Sequence, residues 1–190
     1  MGVTMFNRIK KSLMIRLGML SREELTVEAC LQRGMKVGKN CSGLAGSTID
    51  YAHCWLIEIG DNVTFAPQVY LLAHDASTKR YLDYTKIAKI KIENNAFIGA
   101  RALIMPGVTI GKNAIVAAGS IVTKSVPEGS IVGGNPARII GKTEDYINKH
   151  RLNMETAHVY DNDWTIGGNI TLDMGNKMAE ELKNTIGYVK

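Results

Sequence analysis

Aromatic residues make up only 6% of the 190 positions, too few for a surface on which nucleic-acid bases would stack. Cysteine is sparse as well. Cys30, Cys41 and Cys54 contain no C-x-x-C pair, so neither a zinc knuckle nor an even-numbered disulfide framework is indicated, and reduced thiols in a reducing compartment are expected. No run approaches the roughly 20 apolar residues of a transmembrane helix. The N-terminal stretch lacks an unbroken apolar core followed by a small-residue cleavage site, and Phe6 stands where a myristoylation signal has Ser or Thr. These features predict a cytoplasmic protein. No set of His, Cys and carboxylate residues has metal-ligand spacing, and no Ser-His-Asp or Cys-His arrangement points to a covalent intermediate, so no metal is expected. The net charge is a modest +5, which suits an anionic small ligand as well as a polyanion. With 45% hydrophobic and 22% charged residues the chain has an ordinary globular balance, which excludes disorder and a collagen-like fibre.

What is abundant is glycine, 19 residues, about a tenth of the chain against a usual 7% or so. The turn chemistry this implies has a period. Aliphatic residues open successive hexads at Ile92, Ile98, Ile104, Ile110, Val116 and Val122, and a small or short residue follows four places on: Ala96, Ala102, Val108, Ala114, Ser120, Val126. A helix repeats at 3.6 and a plain strand at 2, so a strict six predicts a short strand plus a turn, repeated as a β-solenoid. Asn95 and Asn113 are 18 residues apart in the same phrase, so three hexads make one coil with Asn at one corner, where its tolerance of positive φ is useful. The phrase occurs earlier at Asn62 and Asn40 with spacings of 33 and 22. Those two surpluses predict a long excursion, the loop 73–91, between Leu71 and Ile92, and a four-residue one within 43–58.

Each coil buries its aliphatic column only on its neighbours, so the open ends of the stack need covers. The segment Phe6, Ile9, Leu13, Leu17, Leu20 has helical spacing with Arg8, Lys10, Lys11 and Arg16 between, and is read as part of a helical cap over 1–34. The alternative is a helix lying on a membrane surface. After Ile140 the beat stops. In the extension 143–190, a helix is expected from Thr143 and another N-capped by Asp173, running towards Ile186 and ended by Gly187, with a loop or hairpin over 159–168. His150 and His158 in this tail look incidental.

The hexads, with Gly60-Asp-Asn-Val63, Pro106-Gly-Val-Thr-Ile-Gly111, Ala118-Gly-Ser-Ile-Val-Thr-Lys124 and Gly134-Asn-Pro-Ala-Arg138, resemble the hexapeptide-repeat acyltransferases, closest to the galactoside, maltose and capsular-polysaccharide O-acetyltransferases. The resemblance spans 35–142. It implies a mainly β fold, a left-handed parallel β-helix, and a homotrimer with sites between neighbouring subunits. It implies acetyl-CoA as co-substrate and a saccharide or glycan-precursor acceptor. It places the general base at His74, at the root of the long loop, where a near-neutral imidazole can take the proton of an attacking hydroxyl. Asp75 is a candidate to orient it. The resemblance also places acetyl-CoA against Ala100, Ala118, Thr123, Lys124 and Arg138, the two cations facing phosphates. Some relatives carry a hydroxyl residue where Ala100 stands, so here a backbone N–H would serve the oxyanion. Asp50, then His53, are the acceptor-binding candidates, Asp50 as the carboxylate that grips sugar hydroxyls. The rival functions are an antibiotic-modifying acetyltransferase of the same fold and a catalytically inactive scaffold.

Overall fold

The six-residue beat folds as two-residue strands joined by tight turns, because each hexad can send only its aliphatic opener and its small fifth residue inward. The computed structural model describes residues 22–190. Within it, β1 (Lys36–Val37), β3 (Ile57–Ile59), β8 (Ile90–Ile92) and β11 (Thr109–Ile110) stack as one parallel sheet. A second holds β2 (Thr48–Ile49), β5 (Tyr70–Leu71), β10 (Leu103–Ile104) and β13 (Ile121–Val122). A third holds β4 (Thr64–Phe65), β9 (Phe97–Ile98), β12 (Ile115–Val116) and β14 (Ser130–Gly134). The chain visits the three in turn, which makes a parallel β-helix. Its interior is the predicted column: Ile92, Ile98, Ile104, Ile110, Val116 and Val122 are all buried, with Ala96, Ala102, Val108, Ala114 and Ser120 filling the corners. Each such aliphatic side chain contributes about 1.5–3 kcal/mol by leaving water.

Asn marks one corner in every coil but the last. Asn40, Asn62, Asn95 and Asn113 all have φ between 55° and 59°. Their side chains form a ladder, each amide donating to the next at 3.2, 3.1 and 3.1 Å. The same partners are separated by 22, 33 and 18 residues, so both predicted surpluses are real. The long excursion is a hairpin, β6 (His74–Asp75) pairing antiparallel with β7 (Lys86–Ile87) around a short helix, Lys79–Leu82. The short one is the 3-10 segment Tyr51–Leu56.

Two features differ from the expected beat. Val126 bridges Ile110, so the column's next member follows Val122 after four residues, and Val126 is itself an opener and not a fifth residue. The parallel coil also ends sooner than Ile140. After Val132 the chain turns at Gly134 and returns as β15 (Ala137–Lys142), antiparallel to β14. This hairpin leaves Ile139 and Ile140 exposed.

The amphipathic segment from Phe6 to Leu20 lies outside the described residues. The helix Arg22–Gln32 packs on the first coil, against its 3-10 turns, and Cys30 and Met35 join the core there. Among the described residues no helix is long and apolar enough to cross a membrane.

Glu144–Lys190 form a second compact unit. The helix Thr143–Met154 carries Glu144 and Asp145 in its first turn, as its sequence predicts. Its later elements differ from expectation. Thr171, and not Asp173, caps the helix Leu172–Glu181, accepting from the Met174 amide at 3.2 Å. Gly187 does not end that helix: it opens β17 (Gly187–Val189), which pairs in parallel with β16 (His158–Tyr160), so no hairpin forms. His150 bonds the Tyr188 hydroxyl at 2.8 Å and is part of this unit's packing.

Candidate active site

Both excursions leave the helix at the same corner, and this brings the chemistry together. Ile49 and Leu71 are register partners in adjacent strands. The next residue of the lower coil, Asp50, therefore lies beside the root of the long hairpin, and its amide donates to the Leu71 carbonyl at 2.9 Å. The Asp50 carboxylate turns into that root. Its Oδ2 accepts from the Ala73 amide at 2.9 Å and meets His74 Nδ1 at 2.5 Å. Ala88 N–H closes the hairpin onto the Ala73 carbonyl, so both backbone polar groups of Ala73, the residue leading into His74, are fixed.

An ionised carboxylate only accepts, so against ionised Asp50 Nδ1 is the donor, and in a neutral imidazole Nε2 then carries the lone pair. The side chain of His74 is 31% exposed whereas that of Asp50 is 2% exposed. The pair is a solvent-reachable imidazole on a buried anchor, an arrangement suited to taking a proton. Asp50, expected to grip acceptor hydroxyls, is instead buried with its carboxylate turned inward to Ala73 and His74. Asp75 does not orient the imidazole either. Its Oδ1 accepts from the Ser77 amide at 2.9 Å, and that bond holds its carboxyl below the usual range.

His53 joins the cluster from the short excursion. Its ring lies 5.0 Å from that of His74 and 5.5 Å from that of Trp55. Its Nδ1 is 3.9 Å from Asp50 Oδ1, and this atom is buried without a hydrogen-bond partner. Thus Asp50, His53 and His74, which show no metal-ligand spacing in sequence, stand with one donor atom each within 4.8 Å of the others. Beneath them Cys30 and Cys54 are buried, and burial with the neighbouring Cys54 pushes the Cys30 thiol up to about 12.

The residues matched to acetyl-CoA fall at two corners. Val122, Ile104, Leu71 and Ile49 form one column, so the exposed Thr123 and Lys124 follow β13 on the same corner as Asp50 and His74, two coils beyond His74 and three beyond Asp50. Ala100 and Ala118 stack at the preceding corner, where the Gly119 amide donates to the Ala100 carbonyl at 2.7 Å. Arg138, exposed, pairs with Gly133 beside that corner. Gly99 is required there: a Cβ on it would come within 2.5 Å of the Ala118 nitrogen.

Sequence reasoning placed Asp50 near the site and missed its partner. A signal was present, since Ile49 and Leu71 both stand in the column of hexad openers and both precede a surplus. Large apolar side chains also crowd the two excursions: Tyr51, Trp55, Tyr81, Leu82, Tyr84 and Ile87 are all exposed.

Residues 89–124 match the family described as hexapeptide repeat of succinyl-transferase. Protein CapG of Staphylococcus aureus is 38% identical over 135 residues, covering 68% of this chain and 78% of that one. Galactoside O-acetyltransferase of Escherichia coli is 41% identical over 96 residues, 48% of this chain and 46% of the enzyme. Among solved structures, a hexapeptide-repeat containing acetyltransferase from Vibrio cholerae complexed with acetyl coenzyme A superposes with a TM-score of 0.51 at 30% identity, covering 58% of this chain and 61% of that one. The match thus spans about half of the galactoside enzyme and under two thirds of the Vibrio chain. Coils of three hexads, Asn corners and the extent of the CapG match agree, and the chain belongs to the hexapeptide-repeat acyltransferase family.

Proposed function

We propose that the chain is an acetyl-CoA-dependent O-acetyltransferase that moves an acetyl group to a hydroxyl of a sugar or glycan precursor, with His74 as general base. The observation that carries this reading is the contact of His74 Nδ1 with buried Asp50, which leaves Nε2 free to accept a proton. A sugar hydroxyl is a poor nucleophile until its proton has somewhere to go. As the hydroxyl oxygen attacks the thioester carbonyl, Nε2 takes the proton and Asp50 steadies the imidazolium. Collapse of the tetrahedral adduct breaks the C–S bond, and the departing CoA thiolate recovers the proton from His74. Transfer is direct in a ternary complex, so positioning supplies much of the rate. With alanines at 100 and 118, a backbone N–H takes the oxyanion. Asp50 is a positioning residue in this account, and His53 is left to face the acceptor.

Lys124, with Thr123 next to it, and Arg138 at the neighbouring corner suit the phosphates of the nucleotide end. Ala100, Ala118 and Arg138 stand one hexad from the corner of His74 and Lys124, up to about 20 Å along an extended chain. That separation supports a homotrimer in which one subunit's alanine corner faces another's histidine corner, and membership of the family supports a left-handed helix. Free Cys30, Cys41 and Cys54 suit a reducing compartment, the cytoplasm. The galactoside O-acetyltransferase relative and the acetyl-CoA-bound neighbour support the acceptor and donor classes.

A second reading, an antibiotic acetyltransferase, is favoured by the apolar excursions, where Tyr81 and Tyr84 are 83% and 78% exposed. Aromatic faces with polar tips also suit saccharide rings. Thiol release from acetyl-CoA, measured with a panel of mono- and oligosaccharides and of antibiotics, separates the two. Release with a saccharide supports the proposal, release with a drug alone selects the second reading, and no release with any acceptor favours an inactive scaffold.

A further inference from the structure

We propose that Asp50, His53 and His74 form a binding site for a divalent transition-metal ion of the zinc type, and that its occupation switches the base off. Two imidazoles and a carboxylate are a donor set zinc accepts, and here one donor atom of each residue lies within 4.8 Å of the other two. The independent sign is His53. Its Nδ1 is buried, faces this cluster and has no hydrogen-bond partner, a state that native structures rarely leave uncompensated. An ion between the three residues supplies that partner.

Ligands at about 2.0 Å from a tetrahedral zinc stand about 3.3 Å apart. His74 Nδ1 and Asp50 Oδ2, 2.5 Å apart, must open by about 0.8 Å to take an ion between them, whereas His53 Nδ1, 3.9 Å from Asp50 Oδ1, must close. Closure therefore falls to His53, whose Nδ1 has no bond to lose. Asp50 is held by the Ala73 amide and serves as the fixed ligand. The fourth position opens to solvent, because the side chains of His53 and His74 are 24% and 31% exposed.

The ion takes the place of the proton that His74 Nδ1 shares with Asp50. That proton moves to Nε2, which then has no lone pair to offer a hydroxyl. The ion is thus an inhibitor and not a cofactor of direct transfer. Inhibition rests on the reading of His74 as base, whereas binding does not.

The test is a zinc titration of the chelator-treated, full-length chain by calorimetry, with no acyl donor present. His53→Ala removes a ligand, and His158→Ala, in the second unit, controls for surface histidines. The expected result is one zinc per chain at micromolar or tighter Kd, weakened at least about tenfold in His53→Ala and unchanged in His158→Ala. Zinc should also raise the melting temperature of wild type but not of His53→Ala, which reports binding in a variant that is visibly folded. In the thiol-release assay, one equivalent of zinc should suppress the wild-type rate and a chelator restore it. Binding no tighter than millimolar, unchanged binding in His53→Ala, or loss of binding in His158→Ala would overturn the site. The expected binding pattern in a chain that acetylates no acceptor would uphold the site and refute the function, so the two fail separately.

Discussion

Asp50 and His74 are 24 residues apart in sequence and share a hydrogen bond of 2.5 Å, because the coils that carry them are stacked one on the other with Ile49 against Leu71. A carboxylate at the end of one coil thus becomes the anchor of an imidazole at the end of the next. Asp50→Asn tests that relationship. The amide can present its N–H to Nδ1 and so place the ring proton on Nε2, the wrong tautomer for a base. We expect kcat to fall by about 100-fold or more with KM for acetyl-CoA changed little, in a variant whose circular dichroism matches wild type. Equal loss in Asp75→Ala, whose side chain only caps the Ser77 turn, would point to general damage at the loop instead.

Lys124→Ala and Arg138→Ala probe the donor end. Both side chains are exposed and remote from the folding core, so stability should be unaffected. The expected change is a rise of about tenfold in KM for acetyl-CoA, with kcat near wild type and a smaller effect at high salt, as for removal of one charge-assisted phosphate contact. An unchanged KM in both variants would place the nucleotide elsewhere.

The stack itself can be weighed at two positions. Ile104 is fully buried in the middle coil, and Ile104→Ala should lower stability by about 2–5 kcal/mol. At Asn95, with φ of 59° and ladder bonds on both sides, Ala should cost more than Gly, because Ala adds the left-handed backbone penalty of about 1–2 kcal/mol to the lost bonds. Urea unfolding midpoints of the variants check both, and an Asn95→Gly less stable than Asn95→Ala would contradict the corner assignment.

Thiol chemistry gives a pH-dependent check. Cys30 and Cys54 are buried and Cys41 is partly exposed, so brief iodoacetamide treatment of the native chain should label Cys41 alone, read by mass spectrometry. Because folding raises the Cys30 thiol from an ordinary 9.0 to about 12, the neutral form is favoured in the folded state. Its contribution is fully present below about pH 9 and is lost as pH rises towards 12. Labelling of Cys30 before Cys41 at neutral pH would contradict the burial.

Much of the fold is legible because the hexad repeats without a gap from Ile92 to Val122, and a period of six has one structural meaning. The surpluses in the Asn spacing locate both excursions for the same reason. Val126 misleads: an aliphatic four places after Val122 fits either the fifth position or the next opener, and only stacking on Ile110 decides. The reversal at Gly134 is hidden because Ile139 and Ile140 look like core residues, although antiparallel return leaves them at the surface. His74 is readable from its place at a loop root, whereas the Asp50 contact belongs to the lateral neighbourhood of two coils. In the second unit no repeat constrains the pairing, so β16 and β17, 29 residues apart at His158 and Gly187, could not be matched from local pattern.

The central claim is that His74, held by Asp50, activates an acceptor hydroxyl for attack on acetyl-CoA. The most direct measurement is acceptor-dependent thiol release by wild type and His74→Ala, with the best acceptor from the panel and metal-free protein. The account predicts a fall of about 100-fold or more in kcat, with the variant still binding acetyl-CoA as wild type does. A His74→Ala enzyme that releases thiol at the wild-type rate would contradict it.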